Sequence, residues 1–409
     1  MTPKHGPSAA AEVVIIGGSV AALETVLALR DLARDRVRVT LVTPDPDFVD
    51  RPMTVAEPFG FGTARRHPLE RIAADLDATI IRGSVNEVRA AERRVVLRSG
   101  DTLSYQKLVV ATGARMLPAF DHAITYGEQG SGEAMRELVD GVERGAVRRV
   151  AFIAPTSIGW TLPIYELALM TAHAARRSQV DAELVLITRE ERPLAVFGTQ
   201  PSRTAAQWLR ASGVEFIGAA RADVRPGVVL VEPGQRSVPT DGVVALPLVR
   251  GTRLEGLPAD EHGFIPVDSH GCVRGLAAVY AAGDAANFRV KQGGLAAQQA
   301  DAVAAHIAAD VGAPVTPAPF RPVLRGMLLT GGDPSFLRTV DLADPDDGIS
   351  SLGPLWWPPT KVAGRYLSPY LFGGDAAEAF GPPPSGFAEI DVELGISAQP
   401  DSESQPSGG

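Results

Sequence analysis

Apolar residues near the start of the chain change period twice, and the changes outline a β-α-β unit. Val13 to Gly17 is a short β-branched run of strand length, Val20 to Arg34 spaces its apolar residues as a helix does, and Val37 to Thr43 is again strand-like. The same grammar returns at Arg149 to Ala154, Leu162 to Arg177 and Ala182 to Thr188. Further strands are expected at Val95 to Arg98, Lys107 to Ala111, Val243 to Leu246 and Val279 to Ala282, as the remaining pieces of two sheets. Gln298 to Asp310 reads as an Ala-rich helix, and Val323 to Thr330 as a strand of a smaller third region that begins after Pro314, Pro317, Pro319 and Pro322. From Pro382 onward Pro, Ser, Gly and acids dominate, the composition of a disordered tail. The pattern is that of an α/β protein.

Composition narrows the function classes. In 409 residues there are 39 Lys and Arg against 48 Asp and Glu, a net charge of −9. Asp375, Glu378, Glu389, Asp391, Glu393, Asp401 and Glu403 lie beyond Arg365, the last basic residue, so these seven acids leave the body near neutral. A near-neutral body without a basic tract lacks the clustered cations that nucleic acid requires, and no nucleic-acid partner is expected. One cysteine, Cys272, excludes an intrachain disulfide or dithiol pair. Six of the seven histidines, His67, His122, His173, His262, His270 and His306, are scattered without metal-ligand spacing, and no metal site is expected. Met1 to Ala11 holds no signal-like apolar stretch, and no run of about 18 apolar residues could span a bilayer, so a cytoplasmic protein is the default.

The first unit reads VVIIGGSVAALE, Val13 to Glu24. A strand running straight into a Gly-rich turn and a helix aims backbone N–H groups and a positive helix end at a pyrophosphate. Gly17, Ser19 and Ala22 hold the three glycine slots, with Gly18 between the first two, and Ser19 adds a side chain where a phosphate should approach. An acid about 20 residues on would bind a ribose; Asp45 is the nearest, just after Thr43 ends the second strand. Two further signatures follow, LVVATGA at Leu108 to Ala114 and AVYAAGDAAN at Ala278 to Asn287, the second leading into KQGGLAAQQADAVAAHIAA.

Together these motifs resemble the two-dinucleotide-binding-domain flavoproteins: pyridine-nucleotide disulfide reductases, type II NADH dehydrogenases and sulfide:quinone oxidoreductases. The resemblance runs from about Ala11 to Phe372 and implies two Rossmann-like, three-layer nucleotide-binding domains plus a small C-terminal α+β region. The FAD-binding domain is expected to be discontinuous, 11–118 and 245–312, followed in space by a degenerate NAD(P)-binding-like domain, 119–244, a C-terminal interface domain, 313–384, and a disordered acidic tail, 385–409. The resemblance assigns Thr112 and Gly113 to the turn beside FAD, and Gly283 and Asp284 to the flavin's ribityl chain. Asp284 follows a strand, where its carboxylate could accept two hydroxyl hydrogen bonds. The next helix, starting near Gly293, would point N–H groups of Gly294, Leu295 and Ala296 at the flavin C2 carbonyl and stabilise negative charge there.

The departures from the family pattern are as informative. Matching Glu166-Leu167-Ala168 to the family's Glu-Leu-Ala puts Gly159, Thr161 and Ile164 in the second turn's glycine slots, with Trp160 alongside, so NAD(P)H is admitted as donor but disfavoured. Arg189 and Glu190 stand where a nucleotide's 2′-phosphate or ribose would be read. No cysteine pair serves as a sulfur relay. The quinone-site glutamine stretch keeps Ala296, Gln298 and Gln299 but has Gly293 and Gly294 in place of its first Ala-Gln, with Gln292 nearby as a substitute. Glu166 is the candidate catalytic residue, because its family counterpart reaches the flavin cleft. The aromatic segment Leu355 to Phe372 suits a cover over the active-site mouth, a homodimer contact through Trp356 to Phe372, or a peripheral membrane contact. The expectation is an FAD-dependent oxidoreductase passing electrons from an unidentified donor to a small-molecule acceptor, a quinone being one candidate. The alternatives are a non-catalytic subunit derived from such an enzyme, or an NAD(P)H dehydrogenase with a divergent nicotinamide site.

Overall fold

The computed structural model describes residues 10–156, 159–339, 348–380 and 397–398. Two five-stranded parallel sheets form its frame. In the first, the strands run Val279–Ala281, Lys107–Val110, Ala11–Ile16, Val37–Thr43 and Thr79–Arg82 across the sheet. In the second the order is Ile124–Thr125, Gly242–Ala245, Arg149–Ala154, Glu183–Thr188 and Val214–Ile217.

Each sheet is apolar on both faces, which is why each is covered twice. In the first strand Val13 and Ile15 pack toward the helices Val20–Leu32 and Gly293–Asp310, while Val14 and Ile16 pack toward Val88, Val95 and Leu97. Those last residues belong to a three-stranded antiparallel sheet, Val85–Arg89, Arg94–Leu97 and Thr102–Ser104. The strand expected at Val95 to Arg98 is therefore part of this cover and not of a parallel sheet. Antiparallel pairing by tight turns leaves the same local pattern as parallel pairing, so sequence alone did not separate them. The second unit repeats the plan. Val150, Phe152 and Ala154 face the helices Ser131–Glu143 and Leu162–Arg177, and Ala151 and Ile153 face an antiparallel meander, Arg221–Arg225, Val228–Glu232 and Arg236–Pro239.

Two crossing strands, Ala114–Leu117 and Leu248–Gly251, pair antiparallel and link the units. The third region is a three-stranded antiparallel sheet, Arg325–Leu328, Ser335–Thr339 and Gly348–Ser351, followed by the helix Leu367–Phe380. Its aromatic segment turns inward. Trp356 is 2% exposed, lies edge-on to Phe336 and donates its indole N–H to the Thr360 carbonyl. Tyr366 and Tyr370 donate to Asp31 and Asp75 of the first unit, and Phe372 meets His67 edge-on. Most of the rings expected at an external interface thus serve packing within the chain. Apart from Ser397–Ala398, which pair with Val315–Thr316, the tail expected to be disordered lies outside the described residues. No helix among the described residues is long and apolar enough to cross a membrane.

Candidate active site

Three turns meet at the carboxyl ends of neighbouring strands in the first sheet, the place where open α/β sheets take ligands. Gly17 leaves its strand at a φ of +133°, and a Cβ there would lie 2.2 Å from the Ala111 carbonyl oxygen. The Gly-rich turn can pass against the Ala-Thr-Gly turn only because no side chain intervenes. The ladder continues into these turns: Gly17 N–H donates to Val42, Ala111 to Ile16 and Ala282 to Val110. At Gly283, with a φ of +71°, an added Cβ would lie 3.0 Å from the Ala21 Cβ and 3.3 Å from the Ala296 Cβ, and the Gly283 N–H donates to the side-chain oxygen of Gln299 at 2.7 Å. Gly17 to Ala22, Thr112 with Gly113, and Gly283 with Asp284 are thereby brought together.

Ser19 is exposed, adopts an extended backbone compatible with any side chain, and makes no capping hydrogen bond. The first turn of the helix behind it carries no acid. Its N–H groups lack intrahelical partners, so an anion is the natural occupant. Gly18 lets Thr43 and Leu69 approach. Asp45 is exposed at the end of the second strand, its N–H bonded to Thr43 Oγ1 and its carbonyl accepting from Arg82. Asp284 lies in the cleft half-buried. Burial raises its carboxyl above the ordinary range, and the Lys291 ammonium opposes that rise.

At the helix Gly293–Asp310 the structure corrects the expected donors. The Gln292 side chain caps the helix by accepting from Leu295 N–H at 2.8 Å, and Ala296 N–H donates to the Gln292 carbonyl. Leu295 and Ala296 are therefore already satisfied within the chain. Gly294, with Gly293, carries the first-turn N–H groups that remain for a ligand.

A cleft opens between the units beside Asp284 and Lys291, walled by Met116, Trp160, Pro163 and Val249. On its second-unit side the nucleotide-reading position is filled from within. Glu190 accepts from the hydroxyls of Tyr165 at 2.6 Å, Thr188 at 3.2 Å and Thr161 at 3.3 Å. Burial raises the Glu190 carboxyl, and these three donors hold it down. Thr161, at the position matched to a glycine slot, is thus tied to the Glu190 carboxylate. Trp160 packs edge-on to Phe197, 5.5 Å between ring centres.

Residues 11–301 match the family model for pyridine nucleotide-disulphide oxidoreductases. The chain belongs to that family. An NADH dehydrogenase-like protein of Mycobacterium tuberculosis is 28% identical over 241 residues, 56% of this chain and 60% of that protein. The chain therefore aligns with less than two thirds of that relative's length. The sulfide:quinone oxidoreductase of Aquifex aeolicus superimposes with a TM-score of 0.77 at 18% identity, over 98% of this chain and 100% of that one. A ferredoxin reductase of Rhodopseudomonas palustris gives 0.60 at 20% identity, over 80% and 81%. At these identities the likeness is one of fold.

The cradle fits the family's cofactor on two counts: a helix start with neither cap nor acid, and an Asp284 carboxylate to which no described residue donates a hydrogen bond. For this member of the disulphide oxidoreductases, Cys272 stands apart from it, in a hairpin where burial, with Asp268, pushes its thiol up to about 11.

Glu166 differs from expectation. It is wholly buried, outside the residues lining the cleft, with Lys361 Nζ at 2.6 Å from both oxygens and Leu329 N–H donating at 2.9 Å. Its helix carries it inward, where a carboxylate persists only when paired, and the partner lies in the third region. Gln292 also donates to the Arg325 carbonyl, and Gln298 bonds Gly294 and both polar groups of Val323, so both amides are engaged within the chain. Lys291 and Lys361 were given no role in the sequence, and Gln299 was read only as part of the quinone-site stretch. A lysine or glutamine beside a helix start carries no distinguishing pattern.

Proposed function

We propose that this oxidoreductase takes electrons from a small, largely apolar organic donor admitted to the interdomain cleft, and passes them to a separate acceptor of the quinone class. Bound FAD supplies the two-electron chemistry. The chain supplies the rest. Ser19 and the helix behind it hold the pyrophosphate, Thr112 and Gly113 line the turn beside the flavin, and Asp45 and Asp284 accept ribose and ribityl hydroxyls. Gly293 and Gly294 direct N–H groups toward the pyrimidine edge, where negative charge is stabilised by fixed donors. The apolar walls exclude water.

The observation that carries the donor reading is the self-occupied Glu190, held by Thr161, Tyr165 and Thr188. A nicotinamide nucleotide would have to break those bonds and displace Thr161 and Ile164 from slots where a pyrophosphate needs bare backbone. A second reading, NADH as donor, is supported by the likeness to an NADH dehydrogenase-like protein. Rapid mixing of the holoenzyme with NADH, NADPH or sulfide separates the two. The visible flavin band should persist with all three and bleach with dithionite, and a water-soluble benzoquinone should restore it. Fast bleaching by either nicotinamide would overturn the donor reading.

A further inference from the structure

We propose that Lys291 is a positioning residue that sets the Gly283-Asp284 turn for the flavin's ribityl chain and joins that turn to the second unit. Lys291 is 7% exposed, far from the solvated state usual for lysine. Its ammonium donates to the Ala286 carbonyl at 2.5 Å and the Asp284 carbonyl at 3.2 Å, and it stands 3.6 Å over the Phe264 ring. Two carbonyls and a ring face fix the head group, so its long stem has lost the freedom it would keep on a surface.

The geometry gathers the carbonyls on either side of Ala285 onto one cation. The turn 283–285 is therefore held from its far side, while Gln299 holds the Gly283 N–H from the helix side. Asp284 is fixed at the backbone by both, with its carboxylate left open to the cleft. Two carboxylates face Lys291, Asp284 and Asp260. Asp260 is committed to the N–H groups of His262 and Phe264, which leaves Asp284 as the one turned to a ligand. Burial lowers the Lys291 ammonium to about 8 against the pull of both acids. Burial raises the Asp284 carboxyl, and the Lys291 ammonium beside it opposes that rise, so the cation favours the ionised form that accepts two hydroxyl hydrogen bonds.

The same short segment reaches across the cleft. Gly159 N–H donates to the Arg289 carbonyl at 3.1 Å, and Lys291 N–H to the Gly159 carbonyl at 3.3 Å. Lys291 thus holds the 283–285 turn with its ammonium and the second unit's turn with its backbone N–H.

The inference rests on Asp284 as the flavin's ligand, and the test keeps the two apart. FAD affinity is measured by flavin fluorescence on diluting holoenzyme of the wild type and of K291M, K291R and D284A. Melting of each variant at saturating FAD shows that it is folded. Loss of a charge-assisted bond predicts that K291M weakens FAD binding roughly tenfold or more. K291R, whose guanidinium can donate to both carbonyls, should stay within about threefold of wild type. K291M with wild-type affinity beside a weakened D284A would overturn the role of Lys291 alone. D284A with wild-type affinity would overturn the ribityl assignment beneath it. K291R as weak as K291M would reduce the lysine to packing and sink the positioning role.

Discussion

The ion pair between Glu166 and Lys361 joins the second unit's helix to the third region, and breaking it is the sharpest stability test the structure offers. The side chains are 0% and 5% exposed, and both carboxylate oxygens lie 2.6 Å from the ammonium. In K361M the carboxylate keeps only the Leu329 N–H. Removing one partner of a buried pair costs about 3–5 kcal/mol. For a chain of this length, an unfolding entropy near 2.1 cal/mol/K per residue converts that loss to a melting point lowered by roughly 4–6 °C. The pH dependence has a definite sign. Burial already raises the Glu166 carboxyl and Lys361 opposes the rise, so removing Lys361 raises it further. An acid whose pKa is higher folded than unfolded stabilises the fold while protonated and loses that contribution as pH climbs past its unfolded value. The deficit of K361M should therefore be smaller at pH 5 than at pH 8. The double variant E166Q/K361M, with no buried charge, should recover much of the loss. Thermal melts of the holoenzyme at both pH values measure all of this. A deficit under about 1 °C, or one independent of pH, would show that water reaches the pair and refute the reasoning.

Two glycines that both have positive φ should respond very differently to alanine. Gly113, at +70°, has open space around its missing Cβ, so G113A should cost only about 1–2 kcal/mol for the left-handed backbone, whereas G17A drives a Cβ to 2.2 Å from the Ala111 oxygen and should yield protein that neither melts cooperatively nor holds FAD. Equal, mild melts for the two would show that the turns are not in contact. Cys272, with its thiol raised to about 11, should react with iodoacetamide at pH 7.5 roughly two orders of magnitude more slowly than free cysteine. Rapid labelling of the folded protein, followed by mass spectrometry, would show an open hairpin instead.

What could be read along the chain is what neighbouring residues determine. The strand Val37–Thr43, the strand Arg149–Ala154 and the helix Leu162–Arg177 fall where periodicity put them, because period and turn chemistry are set within a dozen residues. The three turns at the carboxyl edge of the first sheet were legible for the same reason: each is a strand end followed within three residues by glycine. The donors at Leu295 and Ala296 were misread because the capping residue is Gln292, a type seldom found there, when Ser, Thr, Asp and Asn are the usual caps. The role of Glu166 was hidden differently. Its partner is 195 residues away, and Glu24, buried in the first helix, likewise spends its carboxylate on the N–H groups of Tyr366 and Leu367, 342 and 343 residues on. Both carboxylates fasten the third region, one to each nucleotide-binding unit. The segment from Lys361 to Leu367 therefore depends on two buried acids that sit in unrelated helices. A motif can describe a cofactor's cradle, since the cradle is made of contiguous turns; it cannot describe the strap across it, because a strap is defined only by what it ties together.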